Sequence, residues 1–124
     1  MEKKAVVLKR GKKYIICCDV NFIPTFIEYV LKDEKYGREI KQIFMCISEG
    51  LKSKKYGDEP FGTKALKPFL NRQNDRIICH VMKMKNEKQH IILSEIFFHK
   101  SSNDVDKELL NRYKIVSNYR YSIL

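Results

Sequence analysis

The chain has 124 residues and carries 25 Lys and Arg against 15 Asp and Glu, a formal net charge of +10. That length suffices for one domain with its own hydrophobic core, spanning residues 1–124, and is too short for two ordinary ones. The cation excess favours a polyanionic partner through counterion release, yet it does not by itself choose between RNA, DNA, an anionic membrane and an acidic protein.

In chain order, Ala5 to Leu8 and Lys13 to Val20 are apolar runs separated by Lys9, Arg10, Gly11 and Lys12, which predicts a hairpin with a basic turn over about 5–20. The apolar run inside MEKKAVVLKRGKKY is only four residues long, too short for a signal-peptide core or a membrane span, so a cytoplasmic location and no membrane partner are expected. Of the four cysteines, Cys17, Cys18, Cys46 and Cys79, none forms a CxxC pair, and adjacent Cys17 and Cys18 should project to opposite sides of a strand. This argues for buried thiols in a reducing compartment and against a disulfide framework or zinc knuckle; no metal or cofactor is expected.

Pro24 and Thr25 punctuate the chain before Phe26, Ile27, Val30 and Leu31 repeat at helical spacing, predicting a short helix that ends near Asp33 to Gly37. A longer helix is predicted from about Arg38 to Ser53, with Ile40, Ile43, Phe44, Ile47 and Leu51 on one stripe that should cover a sheet. Lys54 to Phe61 has no apolar period and reads as a loop. Thr63 to Phe69 reads as a short strand, Asn71 to Asp75 as a turn, and Arg76 to Lys85 with His90 to His99 as a second hairpin. A last helix is predicted from about Asp104 to Tyr119, with Asn103 as its N-cap and Tyr113 on its inner face.

If a loop of two or four residues closes the second hairpin, Arg76 lies opposite His99 and His80 opposite Glu95, all four on one face; a loop of three or five residues breaks that register. RNA cleavage without a metal needs a base near the ribose 2′-hydroxyl, positive charge at the phosphate and a proton donor for the leaving oxygen. Arg76 offers a fork suited to phosphate, Lys67 or Lys100 adds charge, and His99 can move a proton near neutral pH. Lys64 or Lys67, crowded by cations, is an alternative base, and Lys64, Arg72 and His80 are candidate RNA contacts. Each residue also has a plainer reading: Lys64 and Lys67 as solvated edge-strand lysines, Arg76 as an ion-pair partner of Glu95 or Asp75, His80 and Glu95 as a satisfied buried pair, and Tyr113 as core.

The order of parts resembles the RelE/ParE toxin superfamily: a lysine-bearing strand (TKALKPF), an RIxC strand (RIICHVMKM), a strand ending in aromatic and basic residues (EIFFHKSS) and a short helix (NDVDKELLNRY). The resemblance implies an α+β fold, a twisted, mainly antiparallel sheet packed by two helices of the N-terminal half and one C-terminal helix. In the RelE branch it implies a toxin that cuts mRNA on the ribosome, silenced by a cognate antitoxin. By position the implied catalytic residues are Lys67, Arg76, His99 and Lys100, with Lys64 also in the lysine-bearing strand. Lys100 stands where an arginine is frequent, and Asp104 and Asp106 occupy the region of an expected tyrosine. The alternatives are a ParE-like gyrase inhibitor without RNase activity, and a non-toxic basic nucleic-acid-binding domain.

Overall fold

The computed structural model describes residues 2–69, 75–98 and 105–124, with Val105 and Asp106 described by backbone alone. The N-terminal segment forms the expected hairpin: β1 (Glu2–Arg10) pairs antiparallel with β2 (Tyr14–Asp19). Its turn is clamped to the neighbouring helix. Lys12 N–H donates to the Ser48 carbonyl at 2.8 Å, and a Cβ at Gly11 would lie 2.6 Å from Ser48 Cα, so only glycine permits this approach.

Helix α1 (Ile23–Leu31) starts with Pro24 in its first turn, where the missing N–H costs nothing. Helix α2 spans Glu34–Glu49 rather than Arg38 to Ser53. Asp33 starts it by accepting from Lys35 N–H at 3.0 Å, and Gly50 stops it in the left-handed region at φ 71°. The apolar stripe was sound as far as Ile47, but Leu51 lies beyond the cap and is 57% exposed.

The segment read as a loop contains a strand. Strand β3 (Tyr56–Glu59) pairs antiparallel with β4 (Thr63–Leu66) around a tight 3₁₀ turn over Pro60–Gly62, where Phe61 and Gly62 take φ of 64° and 73°. As the outermost strand, β3 needs no apolar alternation, so its sequence carried no strand period. Strands β5 (Arg76–Met82) and β6 (Gln89–Phe97) form the second hairpin. Helix α3 (Val105–Ser117) precedes a strand not foreseen, β7 (Arg120–Ile123), which pairs parallel with β1.

The seven strands form one mixed sheet ordered β3-β4-β5-β6-β2-β1-β7. The β1–β7 and β2–β6 pairs are parallel; the other four are antiparallel, so the fold is α+β with a mainly antiparallel sheet. Helices α1 and α2 bury Tyr29, Ile40, Ile43 and Ile47 against Ile77 and Leu93 on one face. Each such buried isoleucine contributes about 2–3 kcal/mol. On the other face α3 packs Leu109, Tyr113 and Val116 over Ala65 and Ile78, and Tyr121 of β7 covers Cys17 and Ile92. Cys17 and Cys18 thus enter cores on opposite faces; burial pushes their thiols up to about 11 and about 12.

The register of the second hairpin differs from both expected pairings. Arg76 lies opposite Phe97 rather than His99, and His80 opposite Ile92 rather than Glu95. Two features shift it. Met82 already pairs with His90, so the connection is longer than four residues, with Asn86 turning at φ 61°. Ile78 then pairs with Glu95 but Cys79 with Leu93, leaving Ser94 without a β5 partner as a bulge. The bulge changes the parity of β6, so both Ile92 and Glu95 face the α3 side.

Candidate functional site

On the α3 face, at the start of β5, two of the expected cations meet around one carboxylate. Lys67 Nζ lies 2.5 Å from Glu59 Oε1, and Arg76 NH1 lies 3.7 Å from the same oxygen. Arg76 NH1 also donates to the Tyr113 hydroxyl at 3.0 Å. The positions follow from the strands. Glu59 ends β3 beside the tight turn, Lys67 follows the end of β4, Arg76 opens β5, and α3 brings Tyr113 over them. The Glu59 side chain is only 11% exposed, whereas Lys67 and Arg76 are 28% and 25% exposed, so the cations retain a path to solvent.

With two cations and one anion the cluster carries an excess positive charge. Burial pushes the Tyr113 phenol up, the Arg76 guanidinium opposes the rise and Glu59 adds to it, so the hydroxyl stays protonated at neutral pH. Arg76 Nε is buried without a hydrogen-bond partner among the described residues. An incoming phosphate can therefore exchange with Glu59 for Lys67 and Arg76, and the displaced carboxylate is a proton acceptor beside them.

The other expected residues are dispersed. Lys64 is three residues from Lys67, an odd spacing that puts the two on opposite faces. Its ammonium sits 5.7 Å from the Tyr14 ring centre, 5.2 Å from that of Tyr56 and 2.5 Å from Asp58, on the α2 side. Because β3 covers β4, Lys64 is not an edge-strand lysine either. His80 faces α3 but hydrogen-bonds the Val116 carbonyl at 2.9 Å through Nδ1 and packs against Tyr121. It does not pair with Glu95, which instead accepts two hydrogen bonds from Arg112 at 2.5 Å and one from the Tyr119 hydroxyl at 3.1 Å. Asp75 is likewise taken, by the Tyr29 hydroxyl at 3.1 Å, so Arg76 pairs with neither of the acids first expected. Arg72, His99 and Lys100 lie outside the described residues.

Sequence reasoning missed Glu59 and read Tyr113 as core, without the contact its hydroxyl makes with Arg76. The available signal was the E-P-F-G run: Pro followed two residues later by Gly marks a tight turn, and a hairpin there carries Glu59 alongside β4. Phe61, within that turn, is half-exposed. Compared with known proteins, the chain matches no family model, no curated sequence and no solved structure.

Proposed function

We propose that the chain is the toxin of a toxin–antitoxin pair, a cytoplasmic, metal-independent, ribosome-associated mRNA endoribonuclease of the RelE-like class. The observation that carries this reading is the convergence of Lys67 and Arg76, from separate strands, on Glu59, with Tyr113 holding the arginine. Both cations are among the residues the resemblance implies as catalytic. The succession β4, β5, β6 and α3 also follows the order of parts on which the resemblance rests. Among the described residues no helix is long and apolar enough to cross a membrane.

The reaction is attack of a ribose 2′-hydroxyl on the adjacent phosphate, expelling the 5′-oxygen and leaving a 2′,3′-cyclic phosphate. Arg76 binds the phosphate with its fork, aided by Lys100, and stabilises the charge that builds on it. Lys67 or His99 moves the protons, and Glu59 keeps the two described cations together until RNA arrives. An acidic antitoxin that covers this face would offset part of the +10 charge.

The test is cleavage of mRNA in a translating extract by purified protein, with the new ends identified chemically. Cyclic phosphate and 5′-hydroxyl ends, lost in Arg76→Ala, support the reading. Intact RNA together with inhibited gyrase replaces it with the ParE-like alternative.

A further inference from the structure

On the opposite face of the sheet from Lys67 and Arg76, a cavity of about 380 Å³ opens between the basic turn of the first hairpin, the end of α2 and β3. Its walls include Lys13, Tyr14, Leu51, Lys52, Tyr56 and Asp58. The Tyr14 and Tyr56 rings meet edge to face, with centres 6.5 Å apart, and Leu51 stands 57% exposed at the mouth. Lys64, packed against both rings, neutralises Asp58. Neither Lys13 nor Lys52 has an acidic partner among the described residues.

Of the two, Lys13 is held in place. A Cβ at Gly50 would lie 3.1 Å from Lys13 Cδ, so the left-handed cap of α2 also makes room for the lysine stem, whose ammonium sits 5.5 Å from the Tyr14 ring centre. The turn before it is clamped on both sides: Lys12 pairs with Glu49 at 3.2 Å, and Lys88 Nζ donates to the Gly11 carbonyl at 2.9 Å. A cavity with aromatic and aliphatic walls beside two cations that lack acidic partners among the described residues matches a flat heterocycle joined to a phosphate. An acidic peptide would use the cations and leave the aromatic wall bare. A lipid headgroup would need a flat apolar surface around it.

We propose that this cavity binds one nucleotide of single-stranded RNA, with the base against Tyr14 and Leu51 and its phosphates on Lys13 and Lys52. The site is separate from the Lys67–Arg76 cluster, with the edge strand β3 bordering both faces. It anchors RNA without cutting it, through stacking and charge.

The test is fluorescence anisotropy of the whole protein with labelled 2′-O-methyl oligouridylate, which cannot be cut through its 2′-oxygen, and with an abasic oligomer of equal charge. Lys13→Glu/Lys52→Glu, at exposed positions, should weaken oligouridylate binding about tenfold or more and lower the salt slope by about 1.4, while circular dichroism shows the variant still folded. Leu51→Ala should weaken oligouridylate binding and leave the abasic oligomer unaffected. Equal affinity of wild type for the two oligomers, unchanged binding by the double variant, or stronger binding to phosphatidylglycerol vesicles that this variant abolishes would each overturn the proposal. Because the probe cannot be cleaved, a protein that fails to cut mRNA still passes or fails here on its own.

Discussion

Replacing Tyr113 by Phe removes one oxygen and tests whether α3 holds the arginine. The ring is 3% exposed and keeps its packing, so the loss is confined to the hydroxyl's own interactions, chiefly the 3.0 Å hydrogen bond from Arg76 NH1 and the contact with Glu59. A hydrogen bond to a charged group contributes about 1.5–3 kcal/mol. Here the lower end applies, because Arg76 is 25% exposed and still has Glu59 3.7 Å away. The expected loss is therefore about 1.5 kcal/mol, a fall in Tm of about 5 °C for a domain of this size. A double-mutant cycle of Tyr113→Phe with Arg76→Ala, read by urea unfolding, should give a coupling of about 1–1.5 kcal/mol. Cleavage by Tyr113→Phe should drop about tenfold as the guanidinium loses its bearing. A coupling within about 0.3 kcal/mol of zero would mean the hydroxyl does not orient Arg76 and would refute the reasoning.

Gly11→Ala should cost about 1–3 kcal/mol, since its Cβ would fall 2.6 Å from the Ser48 backbone; an unchanged unfolding midpoint would contradict the clamped turn. Glu95→Ala removes the acceptor shared by Arg112 and Tyr119 and should lower stability by about 1–2 kcal/mol, faster hydrogen exchange in α3 being the local signature. Stability should also decline in alkali. Burial raises the Cys17 and Cys18 thiols from 9.0 to about 11 and about 12 and lifts the phenols of Tyr29, Tyr56 and Tyr121, so the folded state holds protons that the unfolded chain releases. Their contribution is complete below about pH 9 and is lost as pH rises through 11 and 12. A urea midpoint that is flat from pH 8 to 11 would contradict this.

The two hairpins and the three helices were legible because each carries an apolar period and a turn or cap signal. What sequence could not provide were features set between elements. The bulge at Ser94 and the long turn through Asn86 moved Arg76 from His99 to Phe97, a change that local alternation does not register. Strand β3 was hidden because an edge strand has little apolar pattern, and with it went Glu59, the carboxylate that joins Lys67 to Arg76. Strand β7 is four residues long and exists through Tyr121, whose hydroxyl reaches Asp19, 102 positions away in the chain. Of the candidate residues, Lys67 and Arg76 are brought together at Glu59, Lys64 lies on the opposite face, and His80 caps the end of α3.

The central claim is most directly tested by inducible expression of the wild type beside Arg76→Ala and Lys67→Ala, with growth scored and mRNA ends mapped in the same cultures. Growth arrest with new, ribosome-phased mRNA ends that vanish in both variants, while both remain folded, is the predicted result. Arrest with intact mRNA, or ends that persist in folded Arg76→Ala, would contradict it.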